Sequence, residues 1–358
     1  MHRSDFCIAG GGIIGLSLAL ELHRRGFSVT VLDRGQPLAE ASTAAAGMLA
    51  ASDPDNPPSL RRLSDLSLSL YPAFLDRLHE LSGIRVPFQT RTTLQAHLTA
   101  SPNTLSTEAL REILPQLSPG DRHFILIDER SLDPRHLATA LLAAVQATTI
   151  DLRPNTRVLS VQSVDEAVEV HATATILHAA QFINCTGAWA THSALTPGLS
   201  VAPRKGQMLA VALPSSLPLH LVVRTHGMYI VPRMTGPNAG RAIIGATIED
   251  AGFDKTVRPS DIARLRTLAE ALLPALAGAP QLEAWAGLRP STPDGLPFLG
   301  QSPDRRNQFV AAGHYRNGIL LAPATARVMA QLLIEQPTSI ELSDFAPMRP
   351  LPCSPIAQ

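Results

Sequence analysis

The chain has 358 residues, 45% of them hydrophobic and 17% charged, with Lys+Arg and Asp+Glu balanced at 30 each. This size and apolar content suit a globular protein of two interlocked domains, and the charge balance argues against holding nucleic acid or anionic lipid by bulk charge. The three cysteines, Cys7, Cys185 and Cys353, are odd in number and lack C-x-x-C spacing, which excludes a disulfide framework or a cysteine-rich zinc site. Cys7 and Cys185 read as buried fillers. No apolar run reaches membrane-spanning length, and the first strand leaves no room for a signal peptide, so the expected location is the cytoplasm.

Asp5 to Asp33 (DFCIAGGGIIGLSLALELHRRGFSVTVLD) reads as a complete strand–turn–helix–strand unit. Phe6–Ala9 is a short apolar strand, Leu16–Arg25 is helix-forming and Phe27–Leu32 is a second strand. Gly10, Gly12 and Gly15 form G-x-G-x-x-G between them. Gly10 permits a tight turn, Gly12 lets backbone N–H groups approach a pyrophosphate, and Gly15 lets helix and strand pack closely. The phosphates would sit on the positive end of the helix, and Asp33 would accept hydrogen bonds from the adenosine ribose. The unit predicts a dinucleotide site without separating NAD from FAD.

A small-residue segment follows, Ala39–Ala51, and Asp53-Pro54-Asp55-Asn56-Pro57-Pro58 then breaks the chain. Leu60–Leu81 carries apolar residues at helical spacing. Phe88–Leu98 alternates like a single strand, and Pro102–Asp121 reads as a surface helix with loops. Asp133-Pro134 opens a helix running to Ala147. Strands are expected at Thr156–Val161, Ala167–Thr173 and Ala180–Cys185, and Val201–Leu213 and His220–Pro232 are strand-rich. The turn residues within Arg233–Arg241 predict a hairpin joining Met228–Val231 to Ala242–Ala246. Ser260–Leu276 reads as a helix capped by Ser260, Gln308–Ala312 as a last short strand and Asn317–Glu335 as a helix. The Pro-rich tail from Phe345 is expected to be loosely held. The pattern is one nucleotide-binding domain interrupted by antiparallel insertions, with the final strand and helix returning to it.

Four segments extend this reading: Ala44–Leu49 (AAAGML), Asn184–Trp189 (NCTGAW), Gly287–Gly295 (GLRPSTPDG) and Gly313–Pro323 (GHYRNGILLAP). In this order, from about Asp5 to Leu333, the set resembles the D-amino acid oxidase superfamily, and within it the bacterial glycine oxidases of thiamine biosynthesis. The resemblance implies an α/β fold: a Rossmann-like FAD-binding domain of the glutathione-reductase type, interleaved with a substrate domain on a large mixed or antiparallel sheet. The implied boundaries are 1–85, 130–200 and 286–345 for the FAD domain, 86–129 and 201–285 for the substrate domain, and 346–358 for the tail.

The resemblance further implies non-covalent FAD. The only late cysteine is Cys353 in the tail, so no flavin tether is expected. Ile13, Ile14, Asp33, Arg34, Ala41, Ser42, Ala46, Gly47 and Met48 fall where the family contacts FAD, and Val158 falls where backbone meets the adenine. Thr186 and Gly187 match a turn near the dinucleotide. His314, Tyr315, Arg316, Asn317, Gly318, Ile319 and Leu320 match the segment that wraps the flavin. Arg289 falls on the arginine that clamps the substrate carboxylate, Arg316 on a second residue near the substrate, and Tyr229 on a tyrosine lining the pocket. Asp33 stands where glutamate is commoner, and Ala41 lacks a hydroxyl often found there. The resemblance also implies a homo-oligomer, tetrameric in the pattern of the family.

Oxidising an amino acid at its α-carbon sends a hydride to flavin and leaves an imine. The carboxylate needs a bidentate partner, which favours arginine over lysine. Arg289 fits this demand, with a surface ion pair as the alternative. Arg316 either meets substrate or pairs with a loop acid. Tyr229 either donates to the carboxylate or packs in the core. Asn317-Gly318-Ile319 would aim N–H groups and a helix dipole at the flavin C2=O edge. Met48 limits bulk on the α-carbon if it projects into the pocket. No side chain in these motifs stands out as a general base, and His314 reads as a structural histidine. An amine delivered neutral needs no such base. The expected activity is therefore oxidative deamination of glycine, with sarcosine and small D-amino acids, by O₂, giving an imine or glyoxylate, ammonia and H₂O₂, and supplying the glycine imine for the thiazole of thiamine. A dehydrogenase passing electrons to a quinone or carrier, and a non-catalytic FAD-binding scaffold, stay open as alternatives. No metal is expected.

Overall fold

The computed structural model describes residues 3–191, 195–196, 198–302 and 305–352; Cys353 and the end of the tail lie outside the described residues. The first sheet has a parallel centre in which Asp151–Arg153, Val29–Leu32, Arg3–Ala9, Thr175–Asn184 and Gln308–Ala312 lie side by side. Ile8 sits opposite Val31 on one side and Ile183 on the other. Side chains alternate across a strand, so Phe6 and Ile8 face one layer and Cys7 and Ala9 the other. The first layer is made by helices Ile13–Arg24, Arg61–Ser82, Pro134–Gln146 and Gly318–Leu333. The second is a hairpin, Val158–Val164 with Ala167–Ala172, that pairs onto Thr175–Asn184. Burial on both faces explains why the opening strand is continuously apolar over Phe6–Ala9, while Arg3 and Asp5 at its start are exposed.

The second sheet has seven strands in the order Gln281–Ser291, Ala202–Ala212, Arg241–Gly245, Met228–Arg233, Val222–Thr225, Thr93–His97 and His123–Ile127. All its pairs are antiparallel except Val222–Thr225 with Thr93–His97. Leu209, Ile230 and Ile244 pack under helices Thr107–Ile113 and Pro259–Leu272. Ala210, Val231 and Ile243 point to the other face, where Met48, Tyr229 and Trp285 pack against them.

Several elements differ from the sequence reading. Phe88–Leu98 is two strands in two sheets: Phe88–Thr90 pairs with Ser131–Leu132, and Thr93–His97 joins the seven-stranded sheet. The stretch around Arg289, expected as turn-rich, is the eleven-residue strand Gln281–Ser291. Gly287 and Pro290 hide it in the sequence, and its place at the sheet edge tolerates a proline without a ladder N–H. Ser260 is not the cap of its helix. Arg258 is, because Pro259 has its φ pre-set for the first helical position. The described part of the tail, as far as Pro352, is pinned rather than loose: Phe345 is buried, and Arg349 pairs with Asp294 at 2.6 Å and stacks on Phe298.

The Gly318–Leu333 helix contains Pro323, which removes the N–H that the Ile319 carbonyl would accept. The Tyr71 hydroxyl donates to that carbonyl instead. One turn before Tyr71 on the Arg61–Ser82 helix, Ser67 Oγ accepts from the Ala324 N–H at 3.2 Å and donates to the Leu320 carbonyl at 2.6 Å. The repair holds the N-terminal turn of the helix in place. Among the described residues no helix is long and apolar enough to cross a membrane.

Candidate active site

The C-terminal ends of Arg3–Ala9, Val29–Leu32 and Thr175–Asn184 open onto a cleft of about 470 Å³, lined there by Ala9, Leu32 and Cys185. It lies where strand order reverses about the first strand, the usual place for a ligand in an open α/β sheet. From Asp33, Arg34 and Val158 it runs past Gly10 and Gly12 to Met48, Tyr229, Arg289 and Arg316.

The glycine turn is shaped by close approach. Gly10 has φ +105°, and a Cβ on it would overlap the Cys185 carbonyl. A Cβ on Gly15 would overlap the carbonyl of Gly10, so Gly15 packs one turn behind the cleft rather than lining it. Gly12 caps the first helix, and Ser42 Oγ accepts the Ile13 N–H at 2.9 Å. Asp33 accepts from the Gly11 N–H at 2.7 Å and the Gly35 N–H at 2.8 Å. These bonds brace the turn and leave only its other lone pairs for a ribose. Arg34 stacks 3.5 Å above the Trp189 ring and pairs with Glu40 at 3.0 Å. Ala41, Thr186 and Gly187 complete this end.

Midway, the small-residue segment is held from behind. Gly47 has φ +86°, and a Cβ there would overlap the Leu132 carbonyl. Trp285 Nε1 donates to the Ala44 carbonyl at 3.0 Å, and Arg233 Nη2 to that of Ala46 at 2.8 Å. Burial pulls the Arg233 guanidinium down to about 10, opposed by the Asp133 carboxylate. Across the cleft, the His314 ring meets Thr325 Oγ1 at 3.0 Å. Burial depresses it to about 3, so it is a neutral, structural imidazole. The Tyr315 N–H donates to the Pro290 carbonyl. Asn317 caps the last helix without a side-chain bond to it, and Ile14, Ala46, Gly318 and Ile319 line the same stretch. Leu320 does not: it is buried in the helical layer.

At the far end Arg289 Nη1 donates to the Thr247 carbonyl at 3.1 Å and lies 3.4 Å from that of Lys205. Gly206 is required beside it, since a Cβ there would overlap the guanidinium. The Tyr229 hydroxyl donates to Met208 Sδ at 3.1 Å, and burial raises its pKa while Arg289 and Arg316 pull it back. Arg316 pairs with Asp53 at 3.0 Å and Asp55 at 3.1 Å. The sequence reading had not singled out Gly206, Met208, Trp189, Phe253 or Asp53, all of which line the cleft. Trp189 and Asp53 sat within quoted motifs; the others carried no local signal.

The family of FAD dependent oxidoreductases (DAO) matches residues 5–332. The chain belongs to it. The chain is 34% identical to a glycine oxidase of Geobacillus kaustophilus over 96% of its length and 97% of the relative's. It is 37% identical to a bifunctional ThiO/ThiG protein of Trichormus variabilis over 95% of its length, and spans 54% of that longer protein. The crystal structure of the Geobacillus enzyme superposes with a TM-score of 0.90 at 32% identity, covering 98% of this chain and 100% of that one. The P. horikoshii L-proline dehydrogenase, 20% identical with a TM-score of 0.83, shares the fold.

FAD is the cofactor, and the residues fit it. The side-chain-free backbone of Gly10 and Gly12 lines the cleft, and the N-termini of two helices, Ile13–Arg24 and Gly318–Leu333, face it. The first suits the pyrophosphate and the second an anionic flavin edge. The chain is an FAD-dependent enzyme of the amino acid oxidase type.

Proposed function

We propose that the protein catalyses the oxidative deamination of glycine, and of sarcosine and small D-amino acids, with O₂ as electron acceptor. The reading rests on one observation: Arg289, at the far end of a flavin cleft, has its guanidinium steadied by backbone carbonyls and beside the Tyr229 phenol. A bidentate guanidinium takes a carboxylate through two parallel bonds, and the phenol, turning from Met208 Sδ, adds a third donor. The substrate's α-carbon then projects back toward the flavin stretch, where Met48 lines the cleft and would limit the bulk of a substrate side chain.

Bound FAD supplies the two-electron acceptor for the α-hydrogen. The protein's part is orientation and charge. The acids lining the cleft are already engaged: Asp33 braces the glycine turn, Glu40 pairs with Arg34 and Lys255, and Asp53 with Arg316. His314 is held neutral away from any carboxylate partner of its own, bonded to Thr325. The amine must therefore arrive unprotonated, and the imine product hydrolyses to glyoxylate and ammonia or feeds the thiazole of thiamine. We place the protein in the cytoplasm as a homo-oligomer. The substrate domain, 86–129 and 201–285, would hold Tyr229 and most of the second sheet, and the discontinuous FAD domain, 1–85, 130–200 and 286–345, the parallel sheet with its helices and Arg289, on the Gln281–Ser291 strand that joins the two.

The test is anaerobic addition of glycine to the purified flavoprotein, followed by air. Bleaching of the flavin that recovers in air with H₂O₂ formed is the expected result. Bleaching without recovery would point to a carrier-linked dehydrogenase. No bleaching with glycine, sarcosine or D-alanine would refute the Arg289 assignment.

A further inference from the structure

Two guanidinium groups line the substrate end of the cleft, and their surroundings differ. Arg289 is steadied by neutral carbonyls, and among the described residues no carboxylate lies within ion-pair distance of it. Arg316 has both arms of its fork on acids, Nη2 on Asp53 and Nη1 on Asp55. Asp53 is only 7% exposed and cannot swing into water. Its Oδ1 accepts the Asp55 N–H at 3.0 Å, and its Oδ2 lies 3.7 Å from Nη1 of the buried Arg224. Arg224 in turn pairs with Glu129 at 3.0 Å and bonds Gln95, while Glu129 accepts the Ser52 N–H at 3.0 Å. The 52–55 loop is thus stapled from behind to the second sheet, and its carboxylates are presented to Arg316.

Among the described residues, the substrate end of the cleft therefore offers one guanidinium without a carboxylate partner. We propose that Asp53, assisted by Asp55, is a specificity-determining residue that restricts the enzyme to amines with a single carboxylate by keeping the Arg316 fork occupied. A second carboxylate on the substrate would have to displace a buried aspartate that has nowhere else to go. Breaking one member of such a pair leaves the other charge uncompensated in a low-dielectric site, which costs more than the new contact returns. The inference rests on the Arg289 reading above.

The test uses the FAD-loaded enzyme and two readouts. The first is equilibrium titration of the flavin absorbance with acetate, and with malonate, succinate and glutarate. The second is kcat/KM for D-aspartate against D-alanine. In Asp53→Asn the fork is released at constant shape, and preference for the dicarboxylates should rise by about tenfold or more through tighter binding and lower KM, the worth of one charge-assisted pair. Asp55→Asn, at a half-exposed position that cannot compromise folding, should move the ratio the same way by a smaller step. Adding Arg316→Gln to Asp53→Asn should return the ratio to wild type, which separates a freed fork from a general gain of positive charge. Unchanged ratios in both single variants, or a gain that survives loss of Arg316, would overturn the proposal. If the wild-type enzyme oxidises none of the amino acids and binds no monocarboxylate, the Arg289 reading itself has failed; normal oxidation with unchanged ratios sinks only the role of Asp53.

Discussion

Replacing Tyr71 by Phe removes one oxygen from the buried layer between two helices. Its hydroxyl supplies the hydrogen bond that Pro323 denies to the Ile319 carbonyl. With Tyr71 itself almost fully buried, no solvent stands ready to replace it. Leaving a buried acceptor unpaired costs roughly 1–3 kcal/mol, and the ring is otherwise retained, so we expect Tyr71→Phe to lower unfolding free energy by about 2 kcal/mol. The cause can be isolated by a double-mutant cycle. Pro323→Ala restores an N–H whose natural acceptor is the Ile319 carbonyl, so in that background Tyr71→Phe should cost under about 0.5 kcal/mol. Urea unfolding followed by circular dichroism and by flavin fluorescence gives both numbers. An equal cost of Tyr71→Phe with and without Pro323 would refute the idea that the phenol compensates for the proline.

Arg289→Lys should lower kcat/KM for glycine by about a hundredfold or more while FAD content stays at wild-type level, because a point charge cannot replace the two-armed grip on a carboxylate. Loss of flavin instead would show a structural role. Phe253 stacks on Trp189 with ring centroids 5.3 Å apart, and its neighbour Lys255 pairs with Glu40 across the nucleotide end of the cleft. Phe253→Ala should therefore speed FAD release on dilution by about two- to tenfold, read from the rise in free-flavin fluorescence. His314 is neutral in the fold down to about pH 3, whereas the unfolded chain takes up its proton near pH 6.5. Stability from this source is intact above about pH 6.5 and falls at lower pH by up to about 1.4 kcal/mol per unit. His314→Gln should flatten that part of the stability–pH curve, and a curve of unchanged slope would count against the burial argument. Gly47→Ala, which puts a Cβ at positive φ against the Leu132 carbonyl, should reduce both FAD retention and thermal stability, measured by flavin content after gel filtration and by the unfolding midpoint.

The sequence by itself determined the parts of this protein whose physics is local. Gly10, Gly12, Gly15 and Asp33 lie within one strand–turn–helix–strand unit, and Gly15 and Asp33 answer constraints set inside it, so the turn was readable from spacing, whereas the Cys185 carbonyl that packs against Gly10 was not. The hairpin at Met228–Val231 and the helix after Asp133-Pro134 were legible for the same reason. Arg289 and Tyr229 were picked out through motif resemblance, with nothing in their neighbours to say what steadies them. The carbonyls of Thr247 and Lys205 steady Arg289, and Gly206, 83 residues before it in the chain and on the paired strand, leaves its guanidinium room. The strand carrying Arg289 was hidden because edge position, which excuses its proline, is a property of the sheet and not of the segment. The tail as far as Pro352 was misread as loose because the partner of Arg349, Asp294, lies 55 residues away. The sharpest case is Arg316, whose local sequence left two readings open. Only the folded chain brings Asp53 to it across 263 residues and puts Arg224 and Glu129 behind Asp53. Charge compensation in a buried pocket is a sum over everything within a few ångströms, and that neighbourhood exists only once the two sheets have closed on each other.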